Sequence, residues 1–460
     1  MFNPLTFSSY AMTTQTATGA LSYSRRDILK ITFPVMMSLL MEQLISLTDT
    51  AYLGRVGEVE LGACALASVY YLVIYMLGFG FSVGAQVMMA RRHGAGELRR
   101  MGDVFNQGVL FMLLFAAVMC GVSHVVSPWL LAGMIESPAV LQATNDYVFW
   151  RAFGFFFSFV ALMFRAFFVS TTHTRTLTVN SLVMVGTNVV LNYILIFGKL
   201  GFPALGISGA AIASALSEGV SLVFFIIYTL RHVDYRRYGL FARFRLHWPT
   251  LRHVMSVSIW VMIQNGVSFI GWFVFFLAME HQGEHPLAIT NVVRSLSSIL
   301  FMFINAFAST NSSLVANLIG AQRHHEVLPM CWRTIGLCYA FVLPVAALMA
   351  LLPEWVLRIY TDDLTLVRDA IPSLWVLLSS YLLAVPGFVF FFCVSATGNT
   401  SVALRFELAS ITVYVLYIFY IAVYQRADVA LCWTTEHVYD AMLFFTYIYL
   451  RRGAWRHKTV

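Results

Sequence analysis

Long apolar stretches follow one another along most of this 460-residue chain. A helix needs about 20 apolar residues to cross the hydrocarbon core of a bilayer, and roughly a dozen stretches reach that length. Membrane-spanning strands would alternate in polarity, whereas stretches such as Val109–Val122 are apolar throughout. The sequence therefore predicts an all-α polytopic membrane protein with twelve transmembrane helices. We place the spans at residues 30–53, 61–89, 104–126, 146–171, 177–198, 206–230, 254–279, 287–318, 328–352, 371–396, 403–424 and 429–450.

Basic residues are concentrated on one side of the predicted membrane. Twelve spans place both termini on the same side, and that side carries most of the arginines. The opposite side carries only Arg55, Lys199, Arg358, Arg368 and Arg426. Because cytoplasmic loops are enriched in Lys and Arg, we expect both termini in the cytoplasm and the protein in the inner or plasma membrane. The net charge of +7 then reflects membrane topology, so we expect no nucleic-acid partner. We also expect a monomer in the lipid bilayer.

Charged residues make up only 11% of the chain, against about a quarter in typical soluble domains, so no soluble domain is predicted. The chain has no HExxH motif, nucleotide-binding loop or nucleophile constellation, which argues against an enzyme. Its six cysteines lie in apolar spans without a CxxC pair. We therefore expect no cofactor, disulfide framework or zinc site.

Two segments of the chain, Phe81–Glu97 and Phe307–Arg323, read alike. Each closes an apolar span with a Gly-Ala pair followed by basic residues. A second match, STTHTRT from Ser170 and SATGNTS from Ser395, has nearly the same offset. This duplication predicts two six-helix lobes related by a pseudo-two-fold axis along the membrane normal, an arrangement typical of transporters.

The repeat divides the chain into five predicted parts. They are a cytoplasmic N-terminal tail (1–27), an N-lobe with helices 1 to 6 (28–231), a cytoplasmic inter-lobe linker (232–253), a C-lobe with helices 7 to 12 (254–450) and a cytoplasmic C-terminal tail (451–460). The N-terminal residues lack the basic start of a secretory signal, and Met1 and Met12 are both compatible with the start of translation.

Asp49 is the clearest candidate for chemistry, because it lies deep in the first span. A charge at the centre of a span costs at least about 2.5–3.5 kcal/mol, so such a residue needs a reason. A desolvated carboxylate binds a proton or another cation, and this exchange is what an ion-coupled exporter requires. Glu42 lies two turns earlier, and together with Gln43 it either extends a polar track or braces the bundle. The alternative for Asp49 is an acid held permanently by hydrogen bonds.

Asn180, Asn188 and Asn192 recur along the fifth span. Asn188 and Asn192 are four residues apart and therefore share a helix face. We predict that they complete the coordination of a cation at Asp49, Na⁺ included, or hydrogen-bond to it. The alternative is hydrogen bonding between helices without transport.

Other polar and aromatic residues in the spans are weaker candidates. Aromatic rings could line a cavity for flat, cationic or lipophilic guests. The predicted substrate cavity residues are Gln43, Asn180, Gln264, Trp272, Phe275 and Arg294. Arg165 is expected to be paired, Arg151 to reach the membrane interface, and Glu407 to pair locally with Arg405. Arg294 is equally suited to an anchoring role.

In this order along twelve spans, the motifs resemble the multidrug and toxic compound extrusion (MATE) transporter family. The resemblance rests on Pro34, LTDTAYLG ending at Gly54, GAQVMMARRHGAGE, NVVLNYILIFGKLGFPALGISGAAIAS from Asn188, and the NSSLVANLIGAQ echo. It covers about Ile28 to Leu450. The resemblance implies two six-helix lobes forming a V, alternating access, and export of organic compounds in exchange for protons or sodium ions.

Asp49 matches the first-span acid thought to bind the coupling ion in that family, and Asn188 matches its polar neighbour. Asn192 replaces an acid found in some members. The seventh-span glutamate of sodium-coupled members has no equivalent between Gln264 and Leu277, and the tenth-span acid region reads AVPGFVFFF. The resemblance therefore favours an ion site in the N-lobe over one in the C-lobe.

Two other functions fit the sequence less well than export. A flippase for a lipid-linked precursor would need a more cationic cavity, for which only Arg165 and Arg294 are candidates. A receptor or scaffold without transport activity would need neither the duplication nor the buried acid.

Overall fold

The computed structural model describes residues 23–242, 245–361 and 363–457. These residues form helices and connecting turns without any strand. The helices are α1 (Arg25–Leu53), α2 (Glu58–Gly94), α3 (Leu98–Val125), α4 (Ser127–Ala132), α5 (Pro138–Arg151), α6 (Gly154–Ser170), α7 (Arg175–Phe197), α8 (Gly206–His232), α9 (Tyr235–Tyr238), α10 (Trp248–Gln282), α11 (Glu284–Gly320), α12 (Val327–Leu351), α13 (Pro353–Leu357), α14 (Leu364–Ala396), α15 (Thr400–Ile418), α16 (Val429–Cys432), α17 (Thr434–Phe444) and α18 (Thr446–Arg452). Short 3₁₀ turns occupy His324–Glu326 and Ala454–His457, and a π-helical turn, Phe419–Tyr424, continues α15.

Ten helices of the described chain are long and apolar enough to cross a membrane. An eleventh crossing is the pair α5 and α6, which meet at a bend of 50°. The predicted span at 429–450 is made by α16, α17 and α18, which single residues separate. These segments account for the twelve predicted spans, and the predicted fold class is confirmed. The fourth span differs from the expectation because its helix begins at Pro138 and is broken near Ala152.

Equivalent hydrogen bonds in the two halves confirm the internal duplication. The Thr174 hydroxyl, just before α7, donates to the carbonyl oxygen of Ile31 on α1 at 2.8 Å. At the same offset along the chain, the Thr400 hydroxyl at the start of α15 donates to the carbonyl oxygen of Val257 on α10, also at 2.8 Å. In each half, the first membrane-spanning helix is therefore hydrogen-bonded in the same way to the start of the fifth membrane-spanning helix, which is α7 in the first half and α15 in the second.

The repeated Gly-Ala segments meet one another where the two halves join. A Cβ added to Gly94 at the end of α2 would overlap the backbone carbonyl of Asn317 on α11, and one added to Gly320 would overlap that of Arg91 on α2. Asn317 precedes Gly320 by three residues and Arg91 precedes Gly94 by three, so the contact has two-fold symmetry. We call these four residues the glycine latch. It holds the halves together at the end of the molecule that carries the basic residues.

A further contact continues the joint along α2. Gln86 of α2 donates to the Ser313 hydroxyl of α11 at 2.7 Å. At Gly80, an added Cβ would lie 2.8 Å from the Cα atom of Met262 on α10, so this helix pair is also in close backbone contact. The two halves therefore pack tightly from the middle of α2 to the latch.

The predicted linker 232–253 contains the short helix α9 and the first residues of α10. The Asn106 amide of α3 donates to the Gly239 carbonyl oxygen and its side-chain oxygen accepts from the Phe241 amide, each at 3.0 Å. These bonds fix the linker to the first half. The division into five parts stays a prediction, and the predicted tail residues 1–22 and 458–460, including Met12, lie outside the described residues.

Candidate functional site

A cavity of about 460 Å³ opens within the first half, among α1, α2, α5, α6, α7 and α8. The first six polar lining residues belong to α1, and the others belong to the remaining helices. The polar and charged lining residues are Ser38, Glu42, Gln43, Ser46, Asp49, Thr50, Ser68, Tyr71, Tyr75, Tyr147, Arg151, Ser158, Arg165, Asn180, Ser181, Ser214, Ser217, Glu218 and Ser221.

Asp49 lies at the wall of this cavity with 8% of its surface exposed. The Asn192 amide of α7 donates to one carboxylate oxygen at 2.5 Å, and the Ser214 hydroxyl of α8 donates to the other at 3.1 Å. Three helices therefore converge on one carboxylate. The predicted hydrogen bond between an asparagine of the fifth span and Asp49 is therefore present in the structure.

Asn188 supports this arrangement from one turn earlier on α7. Its amide donates to the Ser214 hydroxyl at 3.2 Å, and its side-chain oxygen accepts from the Asn192 amide at 3.0 Å. The side-chain oxygen of Asn192 is buried and has no hydrogen-bond partner among the described residues. The site thus offers carboxylate, amide and hydroxyl oxygens, the ligands that Na⁺ and other hard cations prefer. The role of these residues in ion coupling stays a prediction.

Asp49 differs from the other carboxylates of the cavity in having no cationic partner. Glu42 pairs with Arg165 at 2.9 Å, and Glu218 pairs with Arg151 at 2.6 Å. No salt bridge joins Asp49 to a described residue, and its hydrogen-bond donors are neutral. The cavity therefore contains one carboxylate whose charge is not balanced locally.

The pairing of Arg151 corrects the expectation that this side chain reaches the membrane interface. Its guanidinium makes two bonds to Glu218, at 2.6 and 2.9 Å, and lies 3.7 Å from the ring centroid of Tyr71. The Tyr71 hydroxyl donates to the same carboxylate at 3.2 Å. Arg151 is the last residue of α5, next to the bend between α5 and α6, and it lines the cavity together with Glu218.

Two further predicted residues lie on the same cavity. Gln43 lines the cavity beside Glu42. Glu42 forms a salt bridge with Arg165, so Arg165 is paired as expected. Asn180 donates to the Ser221 hydroxyl at 2.8 Å, and its buried side-chain oxygen has no partner among the described residues. Both remain candidates for contact with a guest.

Phe275 and Gln264 lie in the second half, away from this cavity. The Phe275 ring is 1% exposed and packs edge to face against Trp433, with centroids 5.1 Å apart. A ring enclosed in this way is a packing residue in the present conformation, which differs from the predicted cavity role. Gln264 is 7% exposed, and its side-chain oxygen has no hydrogen-bond partner in the described chain.

Arg294 and Trp272 contact one another in the second half. The Arg294 guanidinium lies 5.0 Å from the Trp272 ring and 5.1 Å from the Phe276 ring. Such cation–π contacts stabilise an arginine where carboxylates are lacking. None of these side chains lines the first-half cavity, and a substrate role for them stays a prediction.

The second half contains further acids, of which Glu407 and Asp440 are buried and Glu436 is half-buried. Glu407 is fully buried and accepts hydrogen bonds from Ser268 and, at 2.9 Å, from the Tyr439 hydroxyl, so the expected local pair with Arg405 is wrong. Glu436 and Asp440 follow on α17, where their i, i+4 spacing places both on one face. That spacing in an otherwise apolar span was the available signal.

Removal of the Ser214 hydroxyl should loosen the Asp49 network. Ser214→Ala removes one donor to the carboxylate and the acceptor of the Asn188 amide. We expect a loss of about 2 kcal/mol of stability, since hydrogen bonds to charged groups are among the stronger ones. The measurement is the apparent melting temperature of the detergent-purified protein. Ser217→Ala on the same helix removes only a bond to the Ser214 carbonyl, and an equal drop in that variant would contradict the prediction.

Comparison with known proteins gives consistent results for this architecture. The family model described as MatE matches residues 34–194 and 258–421, one segment in each half. A probable multidrug resistance protein NorM of Synechocystis sp. is 26% identical over 342 residues, or 73% of each chain. Another NorM, of Bacillus subtilis, is 25% identical over 355 residues, covering 75% of this chain and 76% of the relative.

Solved structures with the same fold are also known. An outward-facing multidrug resistance MATE family transporter of the MOP superfamily superposes with a TM-score of 0.87 at 18% identity, covering 95% of this chain and 97% of the other. A MOP superfamily transporter from Pyrococcus furiosus gives 0.86 at 18% identity, with the same coverage. Because the family model matches most of both halves, the chain belongs to the MatE family of multi-pass membrane transporters, whose members are not enzymes.

Proposed function

We propose that the chain is a secondary active antiporter that exports small organic compounds, cationic or amphipathic, in exchange for protons or sodium ions by alternating access. The observation that carries this proposal is the unbalanced carboxylate of Asp49 on the wall of the first-half cavity. A bound cation and a cationic guest would compete for that single negative charge. Exchange of one for the other is the elementary step of antiport.

The hydrogen bonds of Asp49 supply a link between binding and conformation. A proton or Na⁺ on the carboxylate competes with Asn192 and Ser214 for its oxygen atoms. Those two donors hold α7 and α8 against α1. Binding therefore weakens the contacts among three helices of the first half, and a ligand that favours one packing over another shifts the population between them.

The basic end of the molecule defines the proposed orientation. Cytoplasmic loops are enriched in Lys and Arg, so we place both termini in the cytoplasm of a cell whose inner or plasma membrane holds the protein as a monomer. The glycine latch then lies at the cytoplasmic end. In this arrangement the latch closes the cytoplasmic side, as an outward-facing state requires.

A flippase for a lipid-linked pyrophosphate is less well supported. Such a guest needs unpaired cations, whereas Arg151 and Arg165 are already bound by Glu218 and Glu42. With Asp49 unbalanced, the cavity attracts cations rather than anions.

The test uses the purified chain in liposomes loaded with ethidium, a planar fluorescent monocation. We expect an imposed proton or sodium gradient to drive ethidium across the membrane, because the driving cation replaces it at Asp49. The initial rate is followed by fluorescence under each gradient separately, and protein-free liposomes give the background. Transport that is equally fast without any cation gradient would contradict antiport.

A further inference from the structure

The ion pair between Arg151 and Glu218 has the geometry of a permanent charge pair inside the cavity. Its two parallel bonds of 2.6 and 2.9 Å fix the guanidinium in the plane of the carboxylate. The exposed fractions of the two side chains are 11% and 15%. Tyr71 covers one face of the guanidinium at 3.7 Å. Water therefore has little access, and the charges act strongly on their surroundings.

Arg151 also acts on Asp49. Both residues line the same cavity, so the guanidinium charge contributes to the electrostatic potential at the Asp49 carboxylate. The opposite charge of Glu218, 2.6 Å from Arg151, weakens this attraction. The Arg165 and Glu42 pair likewise joins two opposite charges. With Asp49 ionised, the charged lining residues therefore have a net charge of minus one, and Asp49 is the carboxylate without a cationic partner.

We propose that the Arg151–Glu218 pair sets the net charge of the cavity at minus one and thereby limits it to one monovalent cation at a time. This inference rests on the proposed antiport. Arg151 and Glu218 are specificity-determining residues in this scheme, because they act through Asp49 and do not themselves bind the cation. The same pair would otherwise be only a brace between α5 and α8.

Neutralising Glu218 alone and neutralising Arg151 alone should shift the affinity for the driving cation in opposite directions. Glu218→Gln leaves Arg151 uncompensated and brings the net charge to zero, so the half-saturating concentration of the driving cation should rise about tenfold or more. Arg151→Gln leaves two unbalanced carboxylates, so the same concentration should fall about tenfold and the Hill coefficient should rise. The measured quantity is the rate of ethidium exchange in liposomes as a function of the driving cation.

The double variant distinguishes charge from bracing. Arg151→Gln/Glu218→Gln restores the original net charge, so its half-saturating concentration should return to within about threefold of the wild type. A brace would behave otherwise: both single variants would slow exchange in the same direction, and the double variant would not recover. Either of those results overturns the inference.

Two variants without a change in net charge keep the test valid if a single neutralisation prevents folding, as an unpaired buried charge can. Arg151→Lys and the double variant both preserve the net charge, and a tenfold change in half-saturation in either of them contradicts the inference. Asp369→Asn is the matched control, because it breaks an exposed pair with His285 remote from the cavity. If Asp49→Asn abolishes coupling while Arg151→Gln and Glu218→Gln move alike, only this inference fails; if Asp49→Asn has no effect, the proposed function fails.

Discussion

Asp49→Asn is expected to abolish gradient-driven ethidium exchange while leaving the protein folded. The amide has the shape of the carboxylate and no charge. Its oxygen can accept from Asn192, and its NH₂ group can donate to the Ser214 hydroxyl, which rotates to accept. The network of three helices is therefore preserved. A cation loses an attraction of about 4 kcal/mol at contact distance, so the initial rate should fall about 100-fold or more.

The measurement compares initial rates under imposed proton and sodium gradients, at equal amounts of reconstituted protein. Glu280→Gln is the matched control, since this carboxylate is exposed and lies at the end of α10. It should exchange ethidium at the wild-type rate. A wild-type gradient response in Asp49→Asn would remove Asp49 from the coupling step and direct attention to the paired acids Glu42 and Glu218.

The core of the candidate site was accessible from the sequence because its signals are local. A carboxylate within an apolar span is costly, which singles out Asp49. The i, i+4 spacing of Asn188 and Asn192 specifies a common helix face without knowledge of the fold. Only their approach to Asp49 needed the tertiary structure, and the structure places Asn192 at 2.5 Å from the carboxylate.

The remaining partners of the site come from distant parts of the chain. Glu218 and Arg151 are separated by 67 residues, and nothing in either span indicates that the other faces it. Arg151 lies at the bend between α5 and α6. The sequence has no proline or pair of glycines at this bend, so the bend was not predicted. Among the partners of Asp49, Ser214 had a local signal, because it lies four residues before Glu218 on the same face of α8.

The duplication also shows why the candidate site around Asp49 has no counterpart in the second half. At the offset that relates Thr174 to Thr400, the equivalent of Asp49 is Phe275, a fully buried ring packed against Trp433. The equivalent of Ser214 is Asp440. The second half therefore has an apolar ring in place of the Asp49 carboxylate and a carboxylate in place of the Ser214 hydroxyl. The two halves keep the same helix contacts and differ in the chemistry that those contacts enclose.

Gly94→Ala and Gly320→Ala are expected to open the end of the molecule that the glycine latch closes. A Cβ at either position would overlap the backbone of the opposite helix, which cannot yield as a flexible side chain could. Alanine favours helix over glycine, so α2 and α11 themselves should remain intact. Overpacking of this kind costs about 1–3 kcal/mol, and here the cost falls only on the closed state. The equilibrium should therefore shift toward the open state by about tenfold or more.

The accessibility of a cysteine at Ser313 reports this shift, because Ser313 is 1% exposed and bonded to Gln86 while the halves are joined. In a background without the six native cysteines, Ser313→Cys should react with N-ethylmaleimide about tenfold faster when combined with either latch variant. Gly62→Ala is the matched control, since this glycine lies on the same helix α2 and has no atom within 4 Å of an added Cβ. Because the contact is symmetric, Gly94→Ala and Gly320→Ala should have similar effects. Unchanged labelling in both would show that the duplicated segments do not hold this end of the molecule closed.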